Sequence, residues 1–207
     1  MSNIVGAFEK VSYEQFKKDL VEGANLKNLS EEDLRSIYDG IVLPKRATEG
    51  SAGYDFFLPY TPMIMSSDKY VKIYTGIKCR IKPGWALFLY PKSGIGSKYG
   101  VSLRNTVGVV DSDYYLAKNE GHIVVNIFSD EIDALYNEYI AQIKRADGND
   151  DKKEETVYIN EYSLTYLQKG KGFVQGIFMP FGVTEDDDNE SKDERIGGFG
   201  STSKFKD

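Results

Sequence analysis

Apolar positions recur at helical spacing through the first part of the chain. Tyr13, Phe16 and Leu20 fall on one face, and Ser12 followed by Gln15 is a capping-box start. Ser30 and Asp33 repeat that signal ahead of Leu34, Ile37, Tyr38 and Ile41, spaced i, i+3, i+4 and i+7. Residues 1–40 are therefore expected to form a helical N-terminal extension packed on the main body. From Ile41 the texture changes to short alternating or apolar runs such as "YDFFLPY", "KYVKIYTGIKCRI", "WALFLYP", "GHIVVNIF" and "GFVQGIFMPF", punctuated by Gly, Pro, Asn and Asp. Many short strands between turn signals predict an all-β barrel or sandwich over residues 41–182. One segment breaks the pattern. "DEIDALYNEYIAQIK" sets Ile132, Leu135, Tyr136, Tyr139, Ile140 and Ile143 on one helical face, and the charged run "RADGNDDKKEET" follows it. It reads as a helical insertion of about residues 130–155 between two strands. "TEDDDNESKDER" is too charged to pack and reads as a flexible linker, making residues 183–207 a C-terminal arm.

Composition narrows the chemistry. The 207 residues are enough for one core of ordinary size with appendages. The formal net charge of -6 argues against a duplex nucleic-acid binder, which needs a basic face to displace counterions. A small anionic ligand in a locally basic pocket stays compatible with it. Cys79 is the one cysteine and His122 the one histidine, so an intrachain disulfide is impossible and a zinc site lacks ligands. Cys79 lies in the strand-like run "VKIYTGIKCRIK" and is expected to be packed rather than nucleophilic. No apolar signal core opens the chain and no run approaches membrane-spanning length, so a cytoplasmic protein with no membrane partner is the expectation.

Five stretches carry candidate chemistry. The closing run "RIGGFGSTSKF", Arg195 to Phe205, combines free backbone at its glycines with the hydroxyls of Ser201 and Thr202. It resembles a phosphate cradle without the helix that normally follows one. The others are "RATEGSAGYDF" from Arg46, "YPKSGIGSKYG" from Tyr90, "NTVGVVDSDYY" from Asn105 and "GKGFVQGIF" from Gly170. The second of these four has too many glycines to favour a helix. It is expected to present the Ser93 hydroxyl among free backbone N–H groups, an anion nest.

In order and spacing these five stretches resemble the motifs of the trimeric deoxyuridine triphosphatase (dUTPase) family, and the interval from Ser93 through Asn105 and Asp111 to Tyr114 carries that family's spacing. The long N-terminal extension and "DSDYYLAKNEGHI" are similar to the phage form found in Gram-positive hosts. The resemblance implies a β-clip, a distorted all-β barrel assembled as a homotrimer, that hydrolyses dUTP to dUMP and pyrophosphate with Mg2+. It implies that Asp111 orients and deprotonates the attacking water, that the Asn105 amide reads uracil, and that the Tyr114 ring packs on the deoxyribose. Tyr115, next on what is expected to be a strand, would point the opposite way. Lys92, Ser93, Gly94 and Gln175 would contact the phosphates, and Asp55 would support the metal through water, the alternative being a structural pairing of Asp55 with a neighbouring Lys or Arg. From the arm, Phe199 would stack on uracil, Arg195 would meet the terminal phosphates, and Gly200, Ser201 and Thr202 would add contacts. Such an arm is expected to be disordered without ligand and ordered with it, because ordering each residue costs about 1–2 kcal/mol of backbone entropy.

The chain departs from the family pattern in places. Lys92 stands where an Arg is usual, and Gly170-Lys171-Gly172 replaces a Gly-acid-Arg run, leaving Lys171 as a candidate cation. "YLAKNEGHI" replaces the usual Arg-Gly after Tyr114. That stretch is similar to the dCTP deaminases, which share the fold, but Asn126 stands where those enzymes carry the Glu that moves a proton. Some phage relatives bind a regulatory repressor through an insert in this region. The insertion at 130–155 is therefore expected either to pack on the barrel or to dock a regulatory protein.

Overall fold

The computed structural model describes residues 4–24, 29–65, 67–147, 161–162 and 164–187. β1 (Gly6–Lys10) precedes two helices, α1 (Tyr13–Gly23) and α2 (Glu31–Asp39). Short strands follow as β2 (Lys45–Arg46), β3 (Tyr54–Phe57), β4 (Ile64–Met65), β5 (Val71–Tyr74), β6 (Ile77–Ile81) and β7 (Trp85–Pro91). A helix, α3 (Ser93–Tyr99), leads to β8 (Ser102–Leu103), β9 (Gly108–Val110) and a 3-10 segment, Ser112–Leu116. Then come β10 (Val124–Phe128), α4 (Asp130–Asp147), β11 (Glu161–Tyr162) and β12 (Gly172–Pro180).

The strands form antiparallel sheets, as the alternating runs predict. One sheet has the order β2-β3-β12-β7-β9 and another the order β5-β10-β8, with the pairs β1-β6 and β11-β4 beside them. From Leu87 onward β7 alternates, with Leu87 and Leu89 buried and Phe88 and Tyr90 half-buried, the period of two expected of a strand with one face on the core. Phe56, Ile73, Ile127, Phe173 and Val174 fill that core from the neighbouring strands. Cys79 lies on β6 with 1% of its surface exposed, and burial pushes its thiol up to about 12. A thiolate nucleophile there is physically unavailable at neutral pH.

The N-terminal segment differs from a purely helical extension. "GAFEK" is too short for periodicity to choose between helix and strand, and the edge of β6 decides. β1 pairs there with Phe8 opposite Cys79. The Phe8 ring sits 5.3, 5.5 and 5.7 Å from the rings of Tyr54, Phe56 and Phe178, which holds the strand down. The two helices start where their caps predict. Ser30 and Asp33 form a complete capping box. At α1 the box is half local. Ser12 Oγ accepts from the Gln15 N–H at 3.1 Å, but the Ser12 N–H donates to Glu120 Oε2 at 2.8 Å, across 108 residues. Phe16 and Leu20 are fully buried, so α1 belongs to the main core rather than to a separate module.

α4 forms over the helical run expected to open the insertion, and residues 148–155 of that insertion lie outside the described residues. Ile132 is fully buried, Leu135 and Tyr136 are half-buried, and Lys69 lies 5.0 Å from the Tyr136 ring. The Ser129 Oγ accepts from the Ile132 N–H and shares a 3.1 Å hydrogen bond with the Tyr166 hydroxyl, which seats the start of α4 on the body. Among the described residues no helix is long and apolar enough to cross a membrane.

Glu120 links stability to pH. Burial raises its carboxyl pKa, but the two Ser12 hydrogen bonds and Lys78 outweigh that and hold it below the usual range. A depressed folded pKa contributes stability that is present above the unfolded carboxylate value and lost as pH falls through the lowered one. A Glu120→Gln substitution is expected to cost about 1 kcal/mol at pH 7, the low end for a charged hydrogen bond because the side chain is partly solvated. Melting curves of both proteins between pH 7 and pH 3 check this. The gap in Tm, about 2–4 °C at pH 7, should close on the acid side.

Candidate functional site

The expected site residues gather around both ends of β7. At its C-terminal end the sheet register places Asp55 of β3 opposite Gln175 of β12, and Gln175 opposite Tyr90 of β7. Residues directly opposite share a face of the sheet, so one polar row crosses three strands. β7 and β12 stay zipped one step past the strand end, with the Lys92 N–H donating to the Phe173 carbonyl at 3.0 Å. The Lys92 ammonium then reaches Asp55 Oδ2 at 2.6 Å. The Asp55 side chain is 13% exposed and that of Lys92 38%, so this ion pair lies partly out of water.

Two glycines make room for the row. A Cβ on Gly53 would stand 2.7 Å from Gln175 Oε1, and one on Gly172 would stand 3.2 Å from Lys92 Nζ. Lys171 goes elsewhere: its ammonium donates to the Thr165 carbonyl at 3.3 Å on the exposed surface. Of the two lysines, Lys92 is the one that enters the polar row.

Ser93 and Gly94 are exposed and open α3, which corrects the expectation that this glycine-rich stretch avoids a helix. The helix is short and stapled. Ile95 packs against the core, and Gly100 ends the helix in the left-handed conformation at φ 61 with its N–H on the Gly96 carbonyl. These tertiary and capping contacts outweigh the roughly 1 kcal/mol penalty of each internal glycine. Ser93 and Gly94 thus occupy the first turn, where backbone N–H groups lack the partners of a helix interior.

The second group surrounds β9. Asn105 is exposed in the turn between β8 and β9, beside Thr106 at φ 65. Asp111 follows β9 directly and caps the 3-10 segment, half-buried. Tyr114 is buried in that segment, with its hydroxyl donating to the His122 carbonyl at 2.8 Å and accepting from Asn119 Nδ2 at 2.8 Å. The expected strand alternation at Tyr115 is corrected. Residues 112–116 are 3-10, and helical rotation separates the two rings. The Tyr115 hydroxyl donates to Glu9 Oε2 at 2.9 Å, and that carboxylate raises the Tyr115 pKa above its ordinary value.

The β7 register separates Asp111 from the Lys92 row, whereas Asn105, three residues before the Gly108 that pairs with Leu89, falls toward the C-terminal end of β7. Val110 lies opposite Leu87, which puts Asp111 beyond Leu87, toward Ala86. From Ala86 to Pro91 is about 16 Å at a strand's rise, and Ser93 lies beyond Pro91. Arg195, Phe199, Gly200, Ser201 and Thr202 lie outside the described residues.

Sequence reasoning allowed Asp55 a neighbouring Lys or Arg as partner without singling out Lys92, and it missed the hydrogen bonds that tie Tyr114 to Asn119 and His122. The Asp55–Lys92 pair joins residues 37 apart in sequence and leaves no local signature. Small residues mark the place in the sequence: Gly53 just before β3 and Gly172 at the start of β12.

Comparison with known proteins follows the same line. A family model described as dUTPase matches residues 39–150. A deoxyuridine 5'-triphosphate nucleotidohydrolase of Lactococcus lactis is 37% identical over 166 residues, covering 79% of this chain and 89% of that protein. A mutant of the phage 80α dUTPase superposes with a TM-score of 0.51 at 19% identity, covering 97% of this chain and 99% of the other, a likeness of fold. The crystal structure of a Streptococcus mutans dUTPase gives a TM-score of 0.49 at 26% identity, covering 86% and 98%.

Replacing Lys92 by Met is expected to destabilise the protein by about 1–3 kcal/mol, because it strands the Asp55 carboxylate in a mostly dry position. Urea unfolding of Lys92→Met and of the double variant Lys92→Met/Asp55→Asn checks the cause. The second change should recover part of the loss.

Proposed function

Since the chain belongs to the dUTPase family, we propose that it hydrolyses dUTP to dUMP and pyrophosphate by attack of water on the α-phosphorus. The observation that carries this reading is the grouping of residues from separate stretches. Asp55, Lys92, Ser93 and Gln175 meet at one end of β7, and Asn105, Asp111 and Tyr114 surround β9.

The chemistry assigns each a task. Lys92, Ser93, Gly94 and Gln175 hold the phosphates, with charge from the ammonium and N–H donors from the start of α3. Lys92 carries the charge as a compact point rather than as a bidentate fork. Asn105 offers uracil both a donor and an acceptor. The Tyr114 ring packs on the deoxyribose, and its hydroxyl is already engaged on both sides, so a ribose 2′-hydroxyl meets carbon. Leaving that hydroxyl unpaired costs about 1–3 kcal/mol, a route to rejecting UTP. Asp111 orients the water and takes its proton as the new O–P bond forms and the bond to pyrophosphate breaks. Holding the water in line is the larger part of that task, because orientation removes entropy the reaction would otherwise cost. Phe199 stacks on the uracil, Arg195 meets the terminal phosphates, and Gly200, Ser201 and Thr202 close over the nucleotide.

A Mg2+ ion fits as a companion of the substrate. Among the described residues no group of three or more His, Cys, Asp or Glu side chains forms a metal cage. Asp55 is one carboxylate already bound to an ammonium, a donor suited to the water shell of an ion whose inner ligands are phosphates. When bound, the ion neutralises triphosphate charge and favours pyrophosphate as leaving group.

A nucleotide panel tests the reaction. With Mg2+, pyrophosphate should appear rapidly from dUTP and far more slowly from UTP, dTTP and dCTP. Ammonia from dCTP would instead support deaminase chemistry. Asp111→Asn should retain dUTP binding while kcat falls at least a hundredfold.

The separation along β7 implies that one copy's Asp111 serves another copy's phosphate site, because a base must lie within hydrogen-bond reach of its water. A homotrimer with sites shared between subunits meets that need, each copy repeating the same contact around a ring. Mixing tests it. Asp111→Asn and Ser93→Ala chains, unfolded and refolded together, should recover activity that neither has alone. Absence of recovery would place both residues in one chain's site.

A further inference from the structure

We propose that Asn119 and His122 are positioning residues that hold the Tyr114 ring in its sugar-packing pose, braced by Glu9, Ser12 and Asp19 of the N-terminal segment. The inference rests on the assignment of Tyr114 to the deoxyribose.

The Tyr114 hydroxyl has a donor and an acceptor from one short loop. Asn119 Nδ2 donates to it and the His122 carbonyl accepts from it, both at 2.8 Å. That loop returns tightly on the 3-10 segment. Gly121 sits at φ 69, and a Cβ there would stand 2.6 Å from the Tyr114 carbonyl oxygen. The loop is also tied to itself. The His122 N–H donates to the Asn119 carbonyl at 3.1 Å, and the Gly121 N–H to Asn119 Oδ1 at 3.3 Å.

The loop's outer anchors come from the segment that precedes the barrel. Glu9 accepts from Tyr115, one residue after Tyr114. Ser12 donates to Glu120 from both its N–H and its hydroxyl. Asp19 faces His122, which is fully buried. The Gly76 N–H donates to His122 Nε2 at 2.8 Å, so that nitrogen presents its lone pair and the ring proton sits on Nδ1. From there it donates to Asp19 Oδ2 at 2.6 Å. Turning the ring over would set the Gly76 N–H against another N–H. Asp19 therefore selects one orientation of the imidazole, with the backbone carbonyl of the same residue holding Tyr114.

Ordinary fold stability would also be served by these contacts, so the test reads sugar selectivity. Steady-state kcat and KM for dUTP and UTP with Mg2+ are measured on the full chain, alongside Tm. The proteins are the wild type, Asn119→Ala, Asp19→Asn, Tyr114→Phe and the double variant Asn119→Ala/Tyr114→Phe. Asn119→Ala is expected to lower the ratio of kcat/KM for dUTP over UTP about two- to tenfold, the scale of one net hydrogen bond. Tyr114→Phe, which keeps the ring and removes the anchor, should lower it similarly, and the double variant should fall no further. Asp19→Asn should move the ratio the same way by less, and it carries the test if Asn119→Ala fails to fold. An unchanged ratio in Asn119→Ala with only a lowered Tm, or additive losses in the double variant, would overturn the positioning role. A wild type that hydrolyses dUTP but does not prefer it over UTP would instead overturn the assignment of Tyr114.

Discussion

β7 is hydrogen-bonded along both edges, to β12 on one side and β9 on the other, and the placement of the whole candidate site follows from those two registers. On the β12 edge the ladder runs through Gln175 and Tyr90 and continues to the Lys92–Phe173 bond. That continuation delivers the Lys92 ammonium to Asp55 and sets Ser93 at the start of α3. On the β9 edge the opposite strand direction carries Asp111 to the other end. A slip of one residue on either edge would turn Leu87 and Leu89 away from the core, so burial of those two side chains locks the register. The same lock keeps Asp111 and the Lys92 row of one chain apart, which is the ground for proposing a site shared between copies.

The N-terminal segment is bound up with this arrangement rather than appended to it. Its strand completes β6, its aromatic residue Phe8 joins Tyr54, Phe56 and Phe178, and its first helix borrows a capping partner from Glu120. A helix of this length is marginal alone, because nucleation is costly and only tertiary packing offsets it. α1 is held by Phe16 and Leu20 in the core and by the polar contacts to the loop after Tyr114. The exchange is mutual. The loop gains rigidity from the helix, and the helix gains its capping and its buried face from the barrel.

Features that rest on local rules were legible in the sequence. Ser12 and Ser30 begin helices where the capping pattern puts them, α4 follows the period of Ile132, Leu135 and Tyr136, and the strands follow the alternating runs. The misreadings share one cause. The stretch that forms β1 read as part of a helical extension and α3 looked too rich in glycine, but a paired edge decides the first and the packing of Ile95 on the core the second. The run after Asp111 read as a continuing strand, yet it coils as 3-10 because the returning Gly121 occupies the space beside Tyr114. Propensities of a fraction of a kcal/mol per residue yield to contacts of this kind.

The order and spacing of five motifs, read from the chain alone, determined the family and with it the identity of Asp111, Asn105, Tyr114, Ser93 and Gln175 as the residues to follow. Spacing along a chain carries such information because catalytic groups ride on turns at fixed distances from strands. Only the tertiary structure decided that Lys92 rather than Lys171 enters the polar row with Asp55, that Asp111 lies at the opposite end of β7 from that row, and that Tyr114 is held by a loop braced from the N-terminal segment. Each of those facts joins positions distant in sequence through hydrogen bonds and close packing. Such contacts exist only once the sheet register has brought their partners together.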